Sequence, residues 1–480
     1  MTQTCDILII GGGSAGCVLA RRLAEKSTAR IILLEAGRSD EADPPANDLK
    51  LLDAQTAAYD WGFSADTGQG GTISYARAKL LGGCANHNDC AFLRPPDSDF
   101  EEWQNLGAEG WGPADMARYW QNITDRTIIA NAPLHPLSKA FMDAGMEMGL
   151  PSLDFRQGVA AGVGPFPLNA KGRTRQSSSV TYLHPLSRLP KHLEVWTETV
   201  ATCLVFDGRR VIGAETSRGT IHAGKVVLAC GAIQTPQLLM VSGIGPAADL
   251  QKLGLTVRLD NPHVGAHLRD HVAAPVVWET RQPIADWDIC PFEATMMLQL
   301  EENAPAPDIL FHFGLRVREK YVDGNRFPHD GNAVKASPNV TRARSEGSIK
   351  LRTIDMRDAP KINLNYFDDP HDLVLLTRAM KFTRELFNTQ AFAKTLMREL
   401  YPGPAVQTDA QWHDYIKSVC ETVYHPCGTA AIGHVVDPQL RVKGVENLYI
   451  ADASVFPSLI TVNINGAVMM VAEKAADLIA

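Results

Sequence analysis

Asp6-Ile-Leu-Ile-Ile-Gly-Gly-Gly-Ser-Ala-Gly-Cys17 is the stretch from which the rest of the chain is read. Ile7 to Ile10 are uniformly apolar, the pattern of a short strand buried on both faces of a parallel sheet. Gly11, Gly13 and Gly16 follow with G-x-G-x-x-G spacing, and Val18-Leu-Ala-Arg-Arg-Leu-Ala-Glu25 continues with helical periodicity. In that spacing the first glycine makes a tight turn, the second lets the backbone approach a pyrophosphate, and the third lets helix and strand pack closely. The helix N-terminus, with Ser14 and Ala15, then presents free N–H groups to phosphate charge. A second apolar run, Arg30-Ile-Ile-Leu-Leu34, ends at Glu35, nineteen residues after Gly16, with Ala36 beside it. An acid at that distance accepts hydrogen bonds from ribose hydroxyls and disfavours a 2′-phosphate. Strand, helix, strand and acid together predict a dinucleotide site.

The chain has 480 residues, too many for one ordinary core, so more than one domain is expected. Hydrophobic residues make up 45% and charged residues 21%, the composition of a soluble globular protein. The net charge of −8 is spread without a basic block, which argues against a nucleic-acid partner. No apolar run reaches spanning length and the first residues enter a strand directly, so neither a membrane segment nor a signal peptide is expected. Nine scattered cysteines without C-x-x-C spacing point to reduced thiols in a cytoplasm, with no disulfide framework and no metal site.

Farther along, Ala76-Arg-Ala-Lys-Leu-Leu-Gly-Gly-Cys-Ala-Asn-His-Asn-Asp-Cys-Ala-Phe-Leu-Arg94 carries adjacent glycines, Gly82 and Gly83. Small and amide residues follow them, which suits close backbone approach to a planar ligand or phosphate. Val195-Trp-Thr-Glu-Thr-Val200 reads as a strand, and Val226-Val-Leu-Ala-Cys-Gly-Ala232 as another apolar strand entering a glycine turn. A long helix is expected near Asp369 to Asn388, and a closing helix over Gly466 to Ala480. There is no internal repeat and no low-complexity segment.

The run around Gly82 resembles the first signature of the glucose–methanol–choline (GMC) oxidoreductases, flavoproteins that oxidise alcohols. A second signature is matched at Gly231-Ala-Ile-Gln-Thr-Pro-Gln-Leu-Leu-Met-Val-Ser-Gly-Ile-Gly245. Val423-Tyr-His-Pro-Cys-Gly-Thr429, Ala451-Asp-Ala453 and Asn463-Ile-Asn465 through Ala472-Glu-Lys-Ala-Ala-Asp-Leu478 complete the pattern in family order. The resemblance implies an α/β fold: a Rossmann-like FAD-binding domain with a parallel central sheet, and an α+β substrate domain with a mainly antiparallel sheet. The expected boundaries are 1–130, 160–272 and 420–480 for the first, and 131–159 and 273–419 for the second.

It also implies roles. His425 matches the catalytic histidine that takes a hydroxyl proton, and Asn465 matches its paired Asn or His, which steadies the developing alkoxide. Imidazole suits proton abstraction near neutral pH, and an amide offers N–H donors. FAD is the implied cofactor, held by the glycines, Glu35, Ala36, Asn88, Val200, Asp452, Ala453 and Asn463. In some members the histidine at the position of His87 is bonded to the flavin C8 methyl group, so a covalent histidyl-FAD is expected here. His271, in Val264-Gly-Ala-His-Leu-Arg-Asp-His271, is expected to be structural. Hydride from a primary alcohol would pass to flavin N5, giving an aldehyde or, by a second round, an acid. Val423 favours molecular oxygen as acceptor; a dehydrogenase with another acceptor and a non-redox lyase are the alternatives. Relatives are often dimers, so a homodimer is expected.

Substrate choice departs from the family members this chain most resembles. Where those place a glutamate beside a trimethylammonium group, this chain has Ala273. Trp287 matches a cage tryptophan, Tyr424 sits beside the base, and His312 in Phe311-His-Phe-Gly314 matches another active-site histidine. Arg318 stands for a cage phenylalanine and Asp89 for a small serine. The cation site is therefore expected to be dismantled, and the alcohol is open.

Overall fold

The computed structural model describes residues 3–41, 44–49, 59–284, 292–315, 317 and 332–480. Its two large sheets meet at the functional cavity. In the first, the strand Gln3–Ile10 lies between Ile31–Leu34 and Gly219–Leu228, and all three run parallel. Leu193–Trp196 adds to one edge, and Leu448–Ile450 also pairs in parallel with Gly219–Leu228. Arg210–Thr216 and Ala201–Asp207 extend the sheet antiparallel. Ile7 to Ile10 and Ile31 to Leu34 are all buried, because helices cover both faces of a parallel sheet. Each such Ile or Leu contributes about 1.5–3 kcal/mol relative to exposure. An acid at Leu33, which is fully buried in mid-strand, would remove that gain and strand a charge.

The helix Ser14–Lys26 packs its apolar face, including Cys17, Val18, Leu19 and Leu23, onto this sheet. The closing helix Asn465–Ile479 packs against it. The two are tied at the surface end by Arg22 to Glu473 (2.9 Å) and Lys26 to Asp477 (2.7 Å).

The second sheet has eight strands, all antiparallel. Its path runs Leu396–Tyr401, Val276–Thr280, Ala333–Val340, Ile309–Gly314, Phe292–Leu298 and Gly162–Pro165. Val272–Ala273 pairs with both Ala333–Val340 and Glu421–Thr422. Helix Pro370–Phe387, within the span expected from sequence, covers one face. Its N-cap Asp369 accepts from the His371 backbone N–H at 2.9 Å.

The expected boundaries shift where strand pairing overrides local pattern. Gly162–Pro165 and Glu421–Thr422, which the sequence reading puts in the FAD-binding part, hydrogen-bond into the antiparallel sheet. Short strands of two to four residues carry too little periodicity to reveal their partner. Among the described residues, no helix is long and apolar enough to cross a membrane.

Candidate active site

The three glycines have three different environments. Gly11 has φ +107°, and a Cβ there would lie 2.5 Å from the Ala229 carbonyl oxygen. A Cβ on Gly16 would lie 1.8 Å from the Gly11 carbonyl oxygen, so helix and strand meet at backbone contact. A Cβ on Gly13 would find nothing nearer than Gly83 Cα at 3.9 Å. Space is thus left open at the middle glycine, where the helix begins without a side-chain cap. That opening fits a pyrophosphate.

Glu35 closes this end of the cavity. Its Oε2 accepts from Gly12 N–H at 3.0 Å and its Oε1 from Gly37 N–H at 2.7 Å. Burial pushes its carboxyl up to about 7, against which the two backbone donors pull down.

One continuous cavity runs from Gly11, Gly13, Ser14, Ala15, Glu35 and Ala36 past Gly83, His87, Asn88 and Val200 to Asp452, Ala453, Asn463 and Asn465. It continues between His425, Tyr424, His312 and Asp89 to a far end at Ala273, Lys335, Ser337 and Glu421. Gly16 and Gly82 are not on its wall. Gly82, at φ +89°, shapes the turn, and a Cβ there would strike Asn86 Nδ2 at 2.4 Å. Trp287 and Arg318 lie outside the described residues. Val200 follows the strand Leu193–Trp196, which ends four residues before it. Asp452 turns its carboxylate into the protein, accepting from Gly231 N–H (2.9 Å), Thr235 Oγ1 (2.6 Å) and Ser454 N–H (2.8 Å).

The histidines define the reactive end. His271 Nε2 faces two carbonyls, Thr341 O at 2.9 Å and Ile460 O at 2.8 Å. Carbonyls only accept, so this nitrogen carries the proton and Nδ1 is the acceptor. His425 Nδ1, 2.7 Å away, is therefore the donor, and the lone pair of His425 sits on Nε2. Asn463 Nδ2 lies 3.3 Å from that Nε2 and 3.5 Å from His312 Nε2. Asn339 Nδ2 gives hydrogens to Leu310 O (2.6 Å) and His312 Nδ1 (3.2 Å), which leaves His312 Nε2 as a donor. One lone pair and two donors converge.

Burial, then the neighbouring His271, His312 and Arg77, hold His425 well below the ordinary histidine range. Burial, then Lys335 and His271, push His312 down to about 3. Both rings are neutral at physiological pH.

Asn463 Nδ2 is the amide that lies against His425 Nε2. Asn465, the expected donor, begins the closing helix on the wall of the same cavity, and its buried Nδ2 has no hydrogen-bond partner among the described residues. His271, expected to be structural, hydrogen-bonds the His425 ring.

Sequence reasoning missed Asp270 and Arg77. Asp270 Oδ1 accepts from the backbone N–H of His271 (2.9 Å) and His425 (2.8 Å). Its Oδ2 accepts from Tyr75 (2.9 Å), Tyr366 (2.9 Å) and Thr422 (2.5 Å). Arg77 Nη2 donates to Tyr424 O at 2.9 Å and its guanidinium lies over the Tyr75 and Tyr424 rings. The Asp-His pair was visible in the sequence, but its four additional donors come from distant segments.

Comparison with known proteins fits this geometry. Family models described as GMC oxidoreductase match residues 5–273 and 343–472. The chain is a GMC oxidoreductase. It is an FAD-binding enzyme acting on CH–OH donors. Choline oxidase of Arthrobacter globiformis is 37% identical, over 99% of this chain and 94% of that protein. Mitochondrial choline dehydrogenase of Homo sapiens is 33% identical, over 98% and 89%. The crystal structure of pyridoxine 4-oxidase from Mesorbium loti superposes with a TM-score of 0.92 at 29% identity, covering 98% of each chain.

Elsewhere in this GMC oxidoreductase, away from the cavity wall, His263, His267 and His434 bring ring nitrogens within 4.8 Å of one another. His263 Nδ1 and His267 Nε2 share a proton at 2.9 Å, and His267 Nδ1 meets Glu346 at 2.6 Å. The His434 ring stacks over both, at 4.4 and 4.9 Å. Near-parallel rings of this kind stack face to face rather than aim their lone pairs at one point.

Proposed function

We propose that the enzyme oxidises a primary alcohol to its aldehyde, with molecular oxygen as the final electron acceptor. The single observation that carries this reading is the lone pair of His425 Nε2, 3.3 Å from Asn463 Nδ2, which itself lies 3.5 Å from His312 Nε2. A substrate hydroxyl set among them gives its proton to His425. The developing alkoxide is held by the two donors, which strengthen as charge grows on oxygen. FAD, when bound, supplies the hydride acceptor, N5 of its ring. Asp270 fixes the backbone of His425, and His271 fixes the tautomer. Tyr424 and Asp89 stand on the cavity wall as substrate neighbours. His87 and Asn88 stand where the Gly82-Gly83 turn meets the cofactor channel, and we assign to His87 a covalent bond to the flavin.

Oxygen as acceptor is supported by the oxidase names of two relatives, choline oxidase and pyridoxine 4-oxidase. A cytoplasmic setting is supported by the thiols: the eight described cysteines are free, without a disulfide among them.

Anaerobic mixing of the holoenzyme with alcohols tests the chemistry, because the yellow flavin bleaches when hydride arrives. Air should then restore the colour with one peroxide per aldehyde. A flavin that no alcohol bleaches would favour a lyase, and bleaching with return of colour only on adding a dye would favour a dehydrogenase.

A further inference from the structure

We propose that the far end of the cavity is a subsite for a second hydroxyl, so that the enzyme takes diol-type primary alcohols. This inference rests on the reading of His425 as the base. Lys335 and Ser337 come from one face of the strand Ala333–Val340, two residues apart. Ser337 stands opposite His312 in the ladder, and Glu421 stands opposite Ala273. All five residues line the cavity that contains His425. Directly opposed residues in an antiparallel pair lie about 5 Å apart at Cβ. The subsite is thus one strand spacing beyond His312.

Glu421 is 5% exposed. Its Oε1 accepts from Ser337 Oγ at 2.8 Å and from Lys335 Nζ at 3.1 Å. Its Oε2 is buried and accepts from nothing among the described residues. A buried carboxylate oxygen without a donor is costly, and a native fold keeps one where a ligand completes it. The missing partner is therefore a donor on the substrate.

Charge narrows the class. A trimethylammonium group has no hydrogen to give and would meet the Lys335 ammonium. A carboxylate would meet Glu421. A protonated amine would place a second cation beside Lys335. A hydroxyl satisfies the site: its proton goes to Glu421 Oε2 and its lone pairs face the ammonium. Ala273 leaves the space opposite Glu421 for it.

The test uses matched pairs: butan-1-ol with butane-1,4-diol, and benzyl alcohol with 2-(hydroxymethyl)benzyl alcohol, with choline as the cationic probe. The readout is the second-order rate of anaerobic flavin reduction. Wild type should reduce at least tenfold faster with the better diol than with its mono-ol, and choline should fall below both. In E421Q the ratio should shrink severalfold. In K335M/E421L, which removes the pair together and avoids stranding either charge, it should approach one while the melting temperature stays within a few degrees. No diol preference in wild type, or a preference that survives in K335M/E421L, overturns the proposal. If no alcohol bleaches the flavin, the oxidase reading fails on its own. The subsite then stands if diols still perturb the flavin spectrum with a Kd that E421Q raises, and falls if they do not.

Discussion

His271 and His425 meet Nδ1 to Nδ1 at 2.7 Å, edge to face, with their ring planes 88° apart. Because two carbonyls fix the proton of His271 on Nε2, this one contact decides which nitrogen of His425 carries the lone pair. Removing His271 frees His425 to turn or to change tautomer. His271→Ala should slow flavin reduction about tenfold to hundredfold, as small misplacements at reacting groups do. His425→Ala should cost more, about 10²–10⁴-fold. Stopped-flow reduction rates decide it: no loss in His271→Ala would remove His271 from the mechanism.

The depressed titration of His425 predicts a flat rate profile. The ring is neutral in the folded enzyme well below 6.5, so the base is ready across the neutral range. The reduction rate should not change between about pH 6.5 and 8.5. A limb titrating near 7 in single-turnover data would contradict it.

His312 links the site to acid stability. Its pKa falls from 6.5 to about 3 on folding, so below pH 6.5 the unfolded chain takes up a proton that the folded chain refuses. Stability present above pH 6.5 is therefore lost as pH falls towards 3, at up to about 1.4 kcal/mol per pH unit. His312→Asn should flatten the slope of unfolding free energy by about that amount, read from urea unfolding at pH 6 and 5. An unchanged slope would show that the ring is protonated in place.

The middle and last glycines should fail in different ways. Gly16→Ala places a methyl against the Gly11 carbonyl and should abolish soluble folded protein. Gly13→Ala has room in the protein itself, so it should fold with a normal melting curve while losing bound FAD. A Gly13→Ala enzyme with full flavin content would place the pyrophosphate elsewhere.

The bond assigned to His87 is read by denaturation. Flavin should remain with the acid-precipitated wild-type protein and appear in the supernatant of His87→Asn. Colour entirely in the wild-type supernatant would dismiss the covalent link.

Much of this molecule was legible in one dimension. Local features are short-range: a turn that only glycine fits, an apolar run that must be buried, an acid a fixed distance past a helix. Gly11, Gly13, Gly16 and Glu35 needed no partner from elsewhere to be recognised, and the structure places them as their spacing predicts. The same holds for the closing helix and the helix Pro370–Phe387, where periodicity runs over several turns.

Tertiary structure decided what depends on meeting across the chain. That Asn463 lies against His425 is a tertiary fact, since Asn463 precedes the closing helix and Asn465 begins it. The tautomer of His425 depends on carbonyls at Thr341 and Ile460, far from it in sequence. Glu421 stands across the ladder from Ala273, a pairing of residues 148 apart in number that no local pattern records. The sequence by itself determined the glycine turn and its acid, because they form one local strand–turn–helix–strand unit; only strand pairing brought Lys335, Ser337 and Glu421 to one cavity wall, because they are drawn from segments that become neighbours on folding.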